Sequence, residues 1–351
     1  LLTPRVKKVI PWVAYPALYL VLLVAFAYLA FPYERVEKRI ILGYAQSQAT
    51  SPEPKRMQIG DTTWSWRFPG VVLEDVQLIG PKPKAKPDGA EPEKRAVIHI
   101  ESAYVGVSVL PLLIGTTRVV FDIDGFGGEL SGSFRKSNDD VRLEVELDEI
   151  KPGQLPGVAE ALQLPMEGSL SGTINLSLPE GKYSAAEGEV RLELEGLSLG
   201  DGETSIRGLL ALPTANAGTL TVEATASQGR VKLDKFAASG EDLELSADGR
   251  LRLREPLLSS NIEQMNLSFK FTDKYRDTSD ITRSLLGKPG EARGGLIDMD
   301  PKVKRAKGPD GVYNWKVSGR LDALVFAPGM SAPLRAQPNP QSPQATPPST
   351  P

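Results

Sequence analysis

The sequence predicts a mainly β protein: an antiparallel sheet with one apolar face and a few short helices beside it, preceded by a single membrane-spanning helix. Three observations carry this. Val141, Leu143, Val145 and Leu147 alternate with Arg142, Glu144, Glu146 and Asp148, and such alternation puts apolar side chains on one side of a strand and charges on the other. Glycine (33) and proline (29) are plentiful while aromatics make up 7% of the chain, which suits strands joined by turns better than a helical bundle. From Val13 to Phe31 no charged residue occurs, and a helix needs roughly 20 such residues to cross the hydrocarbon core of a bilayer.

The amino-terminal run is expected to be a signal anchor over residues 1–33. Trp12, Tyr15, Leu20, Leu23, Phe26, Tyr28 and Phe31 form its apolar body and its interfacial rings. Pro11 and Pro16 fall in the first turns, where a missing N–H costs least. Arg5, Lys7 and Lys8 precede the span and Arg35, Lys38 and Arg39 follow it, so positive charge does not fix orientation. A short basic tail before an apolar run favours an inside amino terminus, with the rest of the chain exported. Ala25-Phe26-Ala27 offers the competing reading of a cleaved signal peptide, but the apolar run continues past it to Phe31.

Residues 34–58 read as a juxtamembrane segment that starts helical. Residues 59–330 read as the β-rich domain, and residues 331–351, rich in Pro, Ser, Gln and Thr, as a disordered tail. In the β-domain, Leu143 and Val145, Leu192 and Leu194, Leu243 and Leu245, and Leu251 and Leu253 are the expected apolar sheet face. Ser131-Gly132, Pro179-Glu180-Gly181, Asp201-Gly202 and Asp248-Gly249 are the expected turns between runs. Residues 154–164 and 280–286 fit short amphipathic helices that need a sheet to pack on. Gly128-Glu129-Leu130-Ser131-Gly132 echoes Gly168-Ser169-Leu170-Ser171-Gly172 after 40 residues, where glycines suit strands that bend or pack closely.

No catalytic, cofactor-binding or metal-binding motif assembles. The chain has no cysteine, which excludes disulfides and thiolate sites, and its one histidine, His99, sits in a strand pattern without a second histidine to complete a triad or a zinc site. The phosphate-loop, dinucleotide and EF-hand patterns each fail at a required position: Pro289 follows Gly287-Lys288, Leu130 stands where a third glycine belongs, and Val120 and Ser131 stand at the ends of the loop around Asp122 and Asp124. A net charge of −3 leaves no nucleic-acid footprint. Lys302, Lys304, Arg305 and Lys307 form the one basic cluster, expected to be a solvated loop rather than a lipid-headgroup contact.

After the anchor come Trp66-Arg67-Phe68-Pro69-Gly70-Val71-Val72-Leu73-Glu74-Asp75-Val76-Gln77-Leu78, then Ile100 through Gly115, then the Gly-x-Leu-Ser-Gly segments. This order resembles the AsmA-like group of envelope proteins and, within it, the type II secretion system protein N (GspN) family. The resemblance spans roughly residues 10–330. It implies a bacterial inner-membrane protein with a periplasmic, curved β-sheet domain that serves type II protein secretion as an accessory structural component. Its implied partners are other envelope proteins, without an enzymatic role. The alternative is a lipid-binding or lipid-transfer module that holds phospholipid acyl chains on the apolar sheet face.

Overall fold

A computed structural model of the chain describes residues 33–48, 55–65, 70–80, 97–108, 115–155, 165–202, 210–289, 294–321 and 323–329, with a few isolated positions (15, 18, 19, 22, 26, 111, 205 and 206). Its strands are β1 (Arg56–Gln58), β2 (Asp61–Ser65), β3 (Gly70–Ile79), β4 (Val97–Val107), β5 (Thr117–Gly125), β6 (Gly128–Lys136), β7 (Asp140–Ile150), β8 (Met166–Pro179) and β9 (Glu187–Leu199). They continue with β10 (Ser205–Ile206), β11 (Leu210–Ala211), β12 (Ala215–Ser227), β13 (Arg230–Ser239), β14 (Leu243–Arg252), β15 (Asn261–Phe271), β16 (Tyr313–Arg320) and β17 (Ala323–Pro328). The helices are α1 (Tyr33–Gln48), α2 (Asp273–Arg276), α3 (Asp280–Leu286) and α4 (Pro301–Ala306).

Fifteen strands form one antiparallel sheet in the order β1-β3-β4-β5-β6-β7-β8-β9-β12-β13-β14-β15-β16-β17, with β2 beside β1 on the same edge of β3; β10 and β11 make a separate small hairpin. Neighbours in sequence are neighbours in space almost throughout, the meander that the alternating runs predict. At the usual strand spacing, the fourteen strands on that path make a strip about 60 Å long.

The apolar side chains stay on one face along this strip because the strands change phase where the sequence does. Leu73 and Val76, Leu147 and Ile150, Leu194 and Leu197, and Ala217 and Leu220 are each three residues apart and lie on the same side. Plain alternation would send one of each pair to the wet face. Between them Asp75, Glu149, Gly196 and Gly218 take left-handed φ values of 52°, 51°, 62° and 70°. The register with the neighbouring strand slips at Leu147/Ile150 and on both sides of Gly218. Each slip is a β-bulge, which adds one residue to one strand and restores the phase. The Glu149 bulge is tied to β8 by its N–H, which donates to Ser171 Oγ at 3.0 Å. Ile150 is thereby fully buried.

Cover comes from helices. α1 lays Ile40 and Tyr44 against a core of Val71, Leu73, Val76, Ile100 and Ile150, while α2 and α3 bring Tyr275, Leu285 and Leu286 onto Leu194, Leu197, Leu243 and Phe271. The expected helix at 280–286 is α3. Ser279 and Thr282 close a reciprocal capping box at its start, and Gly287 ends it with φ 76°. α4 starts at Pro301 after Asp300, whose side chain accepts from Lys302 N.

Three expectations require correction. Ser131-Gly132 and Asp248-Gly249 are not turns: they lie inside β6 and β14. A Cβ on Gly132 would meet the Glu144 carbonyl oxygen and the Phe121 ring at 2.3 and 2.6 Å, and one on Gly249 would meet the Gln264 carbonyl oxygen at 2.5 Å, so in both strands the missing side chain allows a neighbour to approach closely. The basic cluster is not a loop, since Lys302, Lys304 and Arg305 lie on α4. Among the described residues no helix is long and apolar enough to cross a membrane, so the transmembrane helix is without support there. Of the expected anchor, Trp12, Leu20, Leu23, Tyr28 and Phe31 lie outside the described residues, while Tyr15 and Phe26 are helical and exposed. Nearly all of the expected helix over 154–164 and the whole of the tail 331–351 also lie outside them.

The repeat glycines can be tested directly. A Cβ on Gly172 (φ 146°) would lie 2.2 Å from the Arg191 carbonyl oxygen, so Gly172→Val is expected to cost about 3 kcal/mol in urea unfolding. Gly43, in α1, has nothing within 4 Å of such a Cβ. Gly43→Ala is expected to raise stability by roughly 0.5–1 kcal/mol through helix propensity.

Candidate functional site

Register lines across the sheet show what the apolar face offers. One runs Trp64, Val71, Val105, Phe121, Gly132, Val145, Ile174, Val190, Ala224, Leu233, Gly249, Met265, Val317, Phe326, passing through every strand from β2 to β17 in the main sheet. It contains no polar side chain. A parallel line runs Val107, Val119, Phe134, Leu143, Leu176, Gly188, Ala226, Val231, Leu251, Ile262, Gly319, Leu324. No polar side chain interrupts this one either.

The left-handed bulges at Glu149, Gly196 and Gly218 lie toward one end of the strands, and that end is sealed. The other end is not. Leu143, Val145, Leu176, Val190, Leu192, Val231, Leu233 and Leu251 are only half-buried, and Phe134 is 37% exposed. Neither buried core contains Leu143, Leu176, Val231 or Leu251. The result is a trough of aliphatic side chains along the open ends of the central strands.

The eight face residues expected from sequence therefore share one side but not one environment. Leu194 and Leu243 belong to the core under α2 and α3, Leu245 packs against it, and Leu253, just past the end of β14, is buried. Leu194, Leu243 and Leu253 are buried, whereas Leu245 is half-buried against that core, as Val145 and Leu192 are against the other. Leu143, Val145, Leu192 and Leu251 line the trough.

The opposite face is wet and charged. Asp140 and Arg142, Glu189 and Arg191, and Lys232 and Asp234 pair two residues apart along their strands at 2.6–2.8 Å. The carboxyls of Asp140 and Asp234 are held below the usual carboxylate range by hydrogen bonds from Arg142 and Lys232 first, then from Ser177 and Thr225. His99 Nδ1 lies 3.2 Å from Asp75 Oδ1, both about half exposed. A depression of about 900 Å³ lies on this face; Asp122, Asp124, Glu129, Glu144 and Glu146 line it beside Arg118. Its Ser133 hydroxyl is already spent on Glu144, at 3.1 Å. Among the described residues no three His, Cys, Asp or Glu side chains are placed to hold a metal ion.

One polar cluster escaped the sequence. Asp298, in the short 3₁₀ turn Leu296–Met299, is buried and accepts from Tyr313 Oη at 3.0 Å and Lys307 Nζ at 2.6 Å. Lys307 also stands 5.3 Å above the Tyr313 ring. Burial first, and then the Asp298 carboxylate, push the Tyr313 phenol far up. Lys307 is thus an internal strut and not part of a surface cluster. The only sequence signal was an acid nine residues before a lysine.

With the geometry in place, the chain was compared with known proteins: no family model, no curated protein and no solved structure matches it.

Tyr275 reports on the sealed end. It stacks on Phe271 at 5.4 Å, donates to the Pro213 carbonyl at 2.5 Å, and has its phenol pushed up to about 12, mainly by burial. A raised phenol favours the folded state fully below pH 10 and loses that contribution as pH rises to about 12. Stability is expected to fall by about 2–3 kcal/mol between pH 10 and 12 in urea melts. Tyr275→Phe should start about 1 kcal/mol lower at neutral pH and fall less steeply over the same window.

Proposed function

We propose that this chain is an accessory structural component of the bacterial type II protein secretion system. Its amino-terminal segment would hold it at the inner membrane, with the β-domain in the periplasm contacting lipid and other envelope components. The family setting rests on the resemblance carried by Trp66 through Leu78, Ile100 through Gly115 and the Gly-x-Leu-Ser-Gly segments. The observation that carries a working surface is the half-covered trough. Two adjacent register lines free of polar side chains cross a single sheet, and over the central strands their large aliphatic side chains, among them Leu143, Val145, Leu176 and Val190, are only half-buried. Soluble proteins rarely leave so continuous an apolar strip uncovered unless something binds it. Aliphatic walls without polar groups match acyl chains better than a protein surface, which needs hydrogen-bonding groups at its rim.

The alternative, a lipid-binding or lipid-transfer module working apart from secretion, is favoured by the same trough. For protein contact the specific observation is β17. This edge strand, Ala323-Leu324-Val325-Phe326-Ala327-Pro328, carries no charge, and its residues are exposed on both faces as far as Ala327. An unguarded edge accepts a partner strand by extending the hydrogen-bond ladder.

Two experiments separate these readings. Native mass spectrometry of the full-length chain in mild detergent is expected to show bound phospholipid, reduced at least tenfold by Val145→Glu with Leu192→Glu; a lipid-free parent spectrum would end the acyl-chain reading. Deleting residues 97–330 should abolish secretion through the type II pathway. Normal secretion in that strain, with lipid still bound to the intact protein, would leave the lipid module alone standing.

A further inference from the structure

The basic segment that follows β15 has a second feature that its charges alone do not convey. α4 packs against the 3₁₀ turn Leu296–Met299, and that turn packs against α3. This assembly is pinned from inside by Asp298, Lys307 and Tyr313. On its outside it exposes Met299 (76%), Ile281 (57%) and Leu296 (47%), and Met299 is the most exposed large apolar side chain of the described residues. Beside them on α4, Lys302, Lys304 and Arg305 are all exposed and join no salt bridge among the described residues.

The neighbouring acids do not neutralise these cations. Asp298 is taken by Lys307, Asp300 caps α4 through Lys302 N, and Asp277 and Asp280 both pair with Arg283 at 3.0 and 2.6 Å. Within a chain of net charge −3, this corner presents three cations that form no salt bridge among the described residues, next to exposed apolar side chains.

We propose that the α3, 3₁₀ turn and α4 corner is a docking surface for an anionic phospholipid bilayer. Leu296, Met299 and Ile281 would enter the interface, and Lys302, Lys304 and Arg305 would meet the phosphates. The occupant follows from charge and chemistry together. Apolar side chains beside Lys and Arg free of salt bridges are the composition of a surface that lies in the headgroup region, and each cation near an anionic leaflet strengthens binding roughly fivefold. The docking surface is separate from the trough, which runs along the far ends of the strands, and stands whether or not the trough holds lipid.

The absence of cysteine makes the test clean. Met299→Cys in the full-length chain, carried in phosphatidylcholine nanodiscs, receives a single environment-sensitive dye and is titrated with vesicles containing phosphatidylglycerol. The dye should shift to the blue and brighten at least twofold, and neutral vesicles should leave it unchanged. Lys302→Glu, Lys304→Glu and Arg305→Glu combined should raise the half-saturating lipid about a hundredfold or more, as should high salt. A dye at Ser227→Cys, at the other end of β12 from the helices, should stay silent. A corner built for an acidic protein would give no response to vesicles. That result, an equal response to neutral lipid, or full binding by the triple variant with an unchanged urea midpoint would each overturn the proposal.

Discussion

Everything in this molecule depends on keeping one side of a very long sheet apolar. A strand alternates faces with a period of two, so a single extra residue in any strand transfers all later apolar side chains to water. Over fifteen strands such an error would be reached many times. The bulges at Glu149, Gly196 and Gly218 resolve it by absorbing the odd residue where two polar or small positions separate two apolar ones, and β3 makes the same change of phase at Asp75 without a register slip against β4. Glycine accepts the left-handed conformation at no steric cost; at Asp75 and Glu149 a side chain tolerates it, and Glu149 is compensated by the bond to Ser171.

Bulges also strengthen local twist. Register slips at Arg250/Leu251 and Ile262/Met265 lie toward the open end, but the left-handed bulges at Glu149, Gly196 and Gly218 share the other end, where the buried cores lie. The helices go where the bulges are: α1 onto the core of β3, β4 and β7, α2 and α3 onto that of β9, β12, β14 and β15. Short helices gain stability only by burying an apolar stripe on something already formed, and the bulged end offers the deepest recesses. Fully buried Ile150, Leu197 and Tyr275 mark where that gain is made. The far ends of the strands carry the same residue types with less over them, and there the trough survives.

Much of this was legible in the residues. Alternation identified the strands around Val141, Val190 and Leu267, and the face shared by Leu143, Val145, Leu192 and Leu251 follows from the pleat alone. The spacing also held the bulges, since Leu147-Asp148-Glu149-Ile150 and Leu194-Glu195-Gly196-Leu197 break the period in the same way, but a period-two reading takes such breaks for strand ends. Glycines inside β6 and β14 read locally as turns because local propensity does not tell a turn from a cross-strand close approach. Which half of the apolar face is covered was out of reach, because it depends on where α2 and α3 fold back, more than a hundred residues after Leu143. The Asp298–Lys307–Tyr313 cluster was hidden for the same reason: a lysine turns inward only when its partner is already buried.

The division into a sealed end and an open end gives the separate surfaces a common logic. A second sheet would have closed the apolar face along its whole length and left nothing to bind. Cover by short helices closes only what the helices can reach, at the ends where they enter and leave the strands. The price is an exposed apolar strip, tolerable in water because its side chains are aliphatic, half-covered by their own neighbours and backed by a charged opposite face with the ion pairs of β7, β9 and β13. On the sealed side the helical cover has its own outer surface, and there the sequence placed Leu296 and Met299 beside Lys302, Lys304 and Arg305 instead of more paired charge. One end of the apolar face thus stays open, and the helical lid over the other end carries exposed apolar and basic side chains of its own.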